Sequence, residues 1–240
     1  MASSDIENGK PVAVITGGGR GMGAAIAREL YARGYRLALM SPTGTAETLA
    51  AELGAVGLKG TAENAADLER LVDKAVKSFG RIDAVVNHTG HPPKADLLEI
   101  TDENWALGNE MMVLSIARMA RLVTPLMLAQ GKGAFVNITT FAAFEPTLKF
   151  PVSCVYRAAV GAYTKLYADR YAADNIRMNA LLPGYIDSLD HKPETAETIP
   201  MRRIGTVDEI AKTAAFLLSD DAGYITGQNI RVDGGITRHV

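Results

Sequence analysis

Short, mostly apolar runs recur along the chain, and between them lie longer stretches in which apolar positions return every three or four residues. The runs at 12–16, 37–40, 56–59, 82–87, 134–139, 176–182 and 229–232 show no regular polar alternation. Such runs predict strands buried on both faces. The stretches at 24–33, 45–53, 65–79, 102–129, about 151–173 and 207–219 carry the helical period. Strand and helix alternate from end to end, which predicts an α/β fold built on a doubly wound parallel sheet with helices on both faces. No repeat, linker or low-complexity segment divides residues 1–240, so one domain is expected.

Composition narrows the classes. Hydrophobic residues make up 48% and charged residues 22% of 240 residues, which fits a single globular α/β domain and excludes disorder, collagen and coiled coil. Lys plus Arg is 25 against 27 Asp plus Glu, a net charge of -2, so no basic excess exists to grip a nucleic acid. Cys154 is the single cysteine, which excludes an internal disulfide and a cysteine metal cluster. His88, His91, His191 and His239 are not spaced as a helical metal pair, and no metal is expected. The segment 1–10 contains Asp5 and Glu7 and no apolar run, so a signal peptide is not expected. No stretch approaches 18 uncharged apolar residues, so no membrane partner is expected and the cytoplasm is the expected compartment. Met111, Met112, Ile116, Met119, Leu122 and Met127 form a stripe on the central helical stretch, read as core or subunit packing.

The sharpest motif is Thr16-Gly17-Gly18-Gly19-Arg20-Gly21-Met22-Gly23, which follows the first strand and opens the first helix. Glycines there allow a tight turn and a close backbone approach to a pyrophosphate, while the helix N-terminus presents free N–H groups and a positive dipole end. A carboxylate after the second strand would select NAD by binding the ribose 2′-hydroxyl. Here the segment reads Met40-Ser41-Pro42-Thr43-Gly44-Thr45 and contains none. Ser41, Thr43 and Thr45 can donate hydrogen bonds and Arg20 can pair with a phosphate, so NADP is the expected cofactor, with NAD as the alternative. The same hydroxyls also suit capping of the next helix.

These residues resemble the short-chain dehydrogenase/reductase family, and the resemblance runs along essentially the whole chain. Gly17, Gly21 and Gly23 fit its glycine spacing. Asn87-His88-Thr89-Gly90 stands where the family has Asn-Asn-Ala-Gly. Asn175-Ile176-Arg177-Met178-Asn179 with Pro183-Gly184, and Ile225-Thr226-Gly227-Gln228 with Val232-Asp233-Gly234-Gly235, match its later segments. The resemblance implies a single Rossmann-like domain, a homotetramer, and hydride transfer between NAD(P) and an alcohol or carbonyl small molecule. It implies that Asn87 and Gly90 line the cofactor's ribose side, and that Ile186 and Ser188, after Pro183 and Gly184, meet the nicotinamide carboxamide. Thr61 stands where the family usually has an Asp near the adenine. The segment 191–200 takes the place of its substrate lid, and the end 236–240 would reach toward a neighbouring subunit.

The family's proton relay of Asn, Ser, Tyr and Lys is not matched. Counting without gaps, those positions fall on Met112, Thr140, Ser153 and Arg157. An aliphatic hydroxyl is a far weaker acid than a phenol; the guanidinium of Arg157 can hold positive charge and bond the cofactor's ribose hydroxyls but does not release its proton. Thr140 keeps a hydroxyl that can orient a carbonyl. Tyr156, three positions past Ser153, is the candidate displaced phenol, with core packing as its alternative. His91, after the fourth strand, has a titration range suited to acid–base work, with a loop histidine as its alternative. Cys154 lacks a base partner and reads as a small apolar residue. Lys149 and Glu145 read as solvated charges. Three functions follow: an NADP-dependent oxidoreductase with a non-standard relay using Thr140, Ser153, Tyr156, Arg157 and His91; a non-catalytic NADP-binding sensor or partner subunit; and an enzyme of non-redox elimination, since Arg157 matches the halohydrin dehalogenase relatives while the glycine loop does not.

Overall fold

The computed structural model describes residues 9–238. Residues 1–8, which carry most of the N-terminal segment, and His239 with Val240 lie outside the described residues. Seven strands form one parallel sheet: β1 (Val12–Thr16), β2 (Arg36–Ser41), β3 (Val56–Lys59), β4 (Ala84–Asn87), β5 (Gly133–Ile138), β6 (Ile176–Pro183) and β7 (Asn229–Val232). Their order is β3-β2-β1-β4-β5-β6-β7. The chain winds outward from β1 to β3, then returns to β4 on the other side of β1. That reversal opens a crevice at the carboxyl ends of β1 and β4, where open α/β sheets bind ligands.

Side-chain alternation along each strand sorts the core into two layers. Ala13, Ile15, Leu37, Leu39, Val86 and Val136 face one way, against Ile26 and Leu30 of α1 (Gly21–Ala32), Leu49 of α2 (Thr45–Leu53) and Ile210, Ala214 and Leu217 of α7 (Val207–Leu218). Val14, Ala38, Met40, Val85 and Phe135 face the other way. They meet Leu68, Leu71 and Val72 of α3 (Ala65–Phe79), Met119, Val123 and Met127 of α5 (Ser115–Gln130) and Tyr167 of α6 (Pro151–Tyr171). Strands buried on both sides explain why the sequence runs are apolar throughout. Helix starts are chemically marked. Asn64 accepts from the N–H groups of Ala66 and Asp67 to cap α3, and Thr206 with Glu209 closes a capping box on α7.

Most boundaries shift by one or two residues from the sequence pattern, and two differences bear on the site. The first helix begins at Gly21, because the glycine loop itself supplies its first turn. The helical stretch from 102 is not continuous in type: α4 (Asp102–Asn109) passes through a π turn at Glu110–Leu114 into α5. The wide turn inserts a residue, so that Met111 and Met112 both line the crevice side instead of diverging around the helix. Taken as one helix, Asp102–Gln130 has an 18-residue window of mean hydropathy 1.5, enough by length and composition to cross a membrane. Its apolar side is taken up by the sheet, where Met119, Val123 and Met127 are buried.

Phe135 is fully buried and meets the Tyr167 ring edge-on at 5.3 Å. Phe135→Ala is expected to lower the unfolding free energy by about 3–5 kcal/mol in urea titrations, because it opens a cavity between sheet and helix layer.

Candidate functional site

The crevice is built first by close backbone packing. Gly17 has φ 61°, and a Cβ on Gly23 would stand 2.1 Å from the Gly17 carbonyl oxygen. The loop therefore folds flat against the start of α1 only with glycine at both places. The Thr16 hydroxyl donates to the His88 carbonyl and accepts from the His88 N–H, both at 2.9 Å, which stitches the ends of β1 and β4. No side chain caps α1, and its first turn contains no acidic residue. Arg20 occupies the N-cap position in extended backbone and is exposed. The turn thus offers bare N–H groups, a positive dipole end and a guanidinium at one point, and a pyrophosphate fits that donor set.

The end of β2 lies beside it. Ser41 is buried, and its Oγ accepts from the Ala46 N–H at 2.9 Å and shares a hydrogen bond with Thr45 Oγ1 at 3.0 Å. Thr43 Oγ1 lies 3.3 Å from Thr45 Oγ1 and is exposed. A Cβ on Gly19 would come within 2.1 Å of Thr45 Oγ1, so loop and hydroxyls are in direct contact. Ser41 satisfies one N–H in the first turn of α2, whose N-cap position is Gly44 without a side-chain cap, and Thr43 and Thr45 remain at the rim. The backbone N–H of Thr61 donates to Asp67 Oδ2 at 2.8 Å, which ties the end of β3 to the first turn of α3.

The floor of the crevice is a polar chain under β4 and β5. Asn87 Nδ2 donates to Asn137 Oδ1 at 2.8 Å, and Asn137 Nδ2 donates to Thr164 Oγ1 at 3.0 Å. All three residues are buried, so the amide of Asn87 is fixed from behind. Ser153 and Arg157 sit on one face of α6. Arg157 Nε donates to Ser153 Oγ at 3.2 Å and Nη1 donates to the Ile138 carbonyl at 2.5 Å. Arg157 shares a small cavity with Asn87, Thr89, Met112 and Thr139. Burial lowers its pKa to about 10, which still leaves it charged at pH 7. Burial, then the Arg157 charge, push His88 down to about 4, against a hydrogen bond to the Gly17 carbonyl that raises it. His91, at the exposed rim, is also held below the ordinary imidazole range, by desolvation and then by the charges of Arg157 and Lys94.

The other wall follows β6. Pro183 ends the strand, and the N–H of Gly184 donates to the Val232 carbonyl at 3.0 Å. Ile186 is buried, and Ser188 lies against Gly21, where an added Cβ would meet Ser188 Cβ at 3.1 Å. The segment after Pro183 and Gly184 therefore reaches the glycine loop.

The structure brings together Gly17, Gly19, Gly21, Met22, Gly23 and Ser188 at the loop, and Asn87, Ser153 and Arg157 beneath it. Three candidates stand apart from that grouping. The Tyr156 ring packs edge-on against Trp105 at 5.9 Å and against Gly108, not on the Ser153–Arg157 face. Thr140 Oγ1 accepts from the Ala142 N–H and caps a short turn. Gly90 is exposed with open space around its Cα. Sequence reasoning missed Asn137 and Thr164, which are polar residues inside otherwise apolar elements and could have been flagged as such. It also missed the aromatic wall of Phe141 and Tyr185, 5.5 Å apart, with His191 edge-on to Tyr185 at 5.3 Å.

Residues 17–237 match the family described as Enoyl-(Acyl carrier protein) reductase. The chain is 32% identical over 238 residues to a 3-oxoacyl-[acyl-carrier-protein] reductase of Staphylococcus epidermidis, covering 93% of this chain and 98% of that one. It is 34% identical over 255 residues to human dehydrogenase/reductase SDR family member 4, covering 98% and 92%. L-sorbose reductase from Gluconobacter frateurii, solved with NADPH and L-sorbose, superposes with a TM-score of 0.89 at 28% identity over 96% of this chain and 98% of that one. An NADPH-dependent reductase of bacilysin biosynthesis has the same TM-score at 25% identity, over 96% of this chain and 100% of that one.

His88 also sets a pH dependence. The unfolded chain takes up its proton near pH 6.5 and the folded chain only near 4, so stability falls as pH drops across that window. His88→Asn is expected to flatten the dependence of the urea midpoint between those two pH values, and an unchanged slope would contradict the assignment.

Proposed function

The chain belongs to the short-chain dehydrogenase/reductase family, and on that basis we propose that it is an NADP-dependent oxidoreductase acting on a small alcohol or carbonyl compound through a non-standard proton relay. The observation that carries the proposal is the uncapped, acid-free N-terminus of α1 over the glycine loop, at the β1–β4 reversal. The absence of a carboxylate at the end of β2, with Thr43, Thr45 and Arg20 at the rim, supports NADP over NAD. The NADPH named for two solved relatives supports the same choice.

The nicotinamide, once bound, supplies or accepts the hydride. The chain orients and moves the proton. Arg157 stays charged and fixes Ser153 through its Nε, leaving the Ser153 O–H free to donate a hydrogen bond to a carbonyl oxygen. Ser153 is too weak an acid to give that proton away. His91, neutral at pH 7 because its value is lowered, is the group at the rim able to take a proton from an alcohol or, in more acidic solution, to deliver one. Tyr156, turned toward Trp105, takes no part.

A second reading, non-catalytic binding of NADP, is favoured by the packing of Tyr156, which leaves no phenol beside Ser153. Loss of NADPH absorbance with a panel of small carbonyl compounds separates the two. Wild type is expected to turn over, His91→Ala to lose about 10²-fold or more in kcat, and Tyr156→Phe to stay within about twofold. Binding of NADPH with no turnover on any compound supports the second reading instead.

A further inference from the structure

Two amides and a hydroxyl form a polar line through an apolar part of the core. Asn87 and Asn137 stand opposite each other in the register of β4 and β5, and Thr164 reaches Asn137 from α6. Their neighbours along the chain are apolar and buried: Val136 and Ile138 on β5, and Val160 and Ala168 one turn to either side of Thr164. Asn137 and Thr164 are completely buried, and Asn87 is 5% exposed. Polar groups at that depth have to be paired. Among the described residues no buried side-chain nitrogen or oxygen lacks a partner.

The pairing runs in one direction. Asn87 Nδ2 donates to Asn137 Oδ1 at 2.8 Å, and Asn137 Nδ2 donates to Thr164 Oγ1 at 3.0 Å. A primary amide carries its donor and its acceptor on opposite arms, so turning one member of such a line turns the next. Thr164 ends the line as an acceptor. Asn137 therefore directs Oδ1 toward β4, and Asn87 directs Nδ2 inward and Oδ1 outward. Asn87 Oδ1 bonds to no described residue and yet is not a buried orphan, so it borders open space. Asn87 lines the small cavity that Thr139 and Arg157 also line. That cavity measures about 10 Å³, room for one oxygen-sized atom. Valine in place of Thr164 removes the acceptor. The direction of the line is then no longer fixed, and Asn87 can turn its NH₂ outward instead.

We propose that Thr164, acting through Asn137, is a positioning residue for the cofactor: it sets Asn87 Oδ1 as the acceptor for a ribose hydroxyl of the dinucleotide. A hydroxyl needs an acceptor for its hydrogen, and Arg157, which carries donors alone, cannot supply one. This deepens the oxidoreductase reading and rests on it for the bound dinucleotide.

The test is titration of the full-length protein with NADPH, followed by nicotinamide fluorescence, for wild type, Thr164→Val and Thr164→Ser, with urea unfolding midpoints measured alongside. Valine keeps the shape and removes the acceptor. Serine keeps the acceptor and removes a buried methyl. The dissociation constant is expected to rise about fivefold or more with valine and to stay within about twofold with serine, so that affinity follows the hydroxyl and not the midpoint. A value for Thr164→Val within about twofold of wild type, or a loss in both variants that tracks the midpoint, overturns the positioning role and leaves the cofactor reading intact. If Thr164→Val does not fold, Thr164→Cys takes its place, because sulfur is a weak acceptor. Weaker binding by the cysteine variant than by the serine variant then upholds the role, and equal binding overturns it. Wild-type protein that binds no NADPH overturns the cofactor reading and the positioning role together.

Discussion

Everything at the crevice depends on how closely two backbone segments approach where the sheet changes direction. The first turn of α1 lies so near Gly17 that a Cβ at Gly23 would overlap the Gly17 carbonyl. The Thr16 hydroxyl then bonds both the N–H and the carbonyl of His88. These contacts hold the N-terminus of α1 open at the carboxyl edge of β1, and they set Asn87, directly before His88, on the floor beneath it. A side chain at Gly23 would separate helix from strand and remove the donor array together with the polar floor.

The site that results combines preserved recognition with altered chemistry. Backbone N–H groups at the uncapped start of α1 form the donor set that a phosphate fits. Side chains make the acid–base centre, and there the chain carries Met112, Ser153 and Arg157 in a single cluster. A guanidinium in that position supplies charge and geometry but no transferable proton. His91 stands at the exposed rim, while Ser153 and Arg157 are fixed in the interior.

The fold was legible because the chain repeats one physical signal. Runs such as 84–87 and 134–138 are apolar without alternation, since β4 and β5 are covered on both faces, and only a sheet between two helical layers produces that. The glycine loop was legible for the same reason: its residue types are dictated by backbone space. The acid–base centre was only partly so. Counting along the chain put Ser153 and Arg157 together, and a four-residue helical spacing makes that reliable. The direction of Tyr156 was not legible, because a helical residue three positions on can swing toward a neighbouring element, and Gly108 leaves α4 close enough to receive its ring. The π turn at Glu110–Leu114 changes which residues face the crevice without any glycine or proline to announce it. Asn137 and Thr164 acquire meaning only once β5 and α6 lie side by side, since neither has a polar partner nearby in sequence.

The central claim is that the turn between β1 and α1 holds a 2′-phosphorylated nicotinamide dinucleotide. Calorimetric titration of the purified protein with NADPH and with NADH tests it most directly. The account predicts one saturable site per chain, at least tenfold tighter for NADPH than for NADH, and lost when Gly23→Val closes the approach to Gly17, in a variant that still folds. Absence of binding for both dinucleotides, or undiminished binding in a folded Gly23→Val variant, would contradict it.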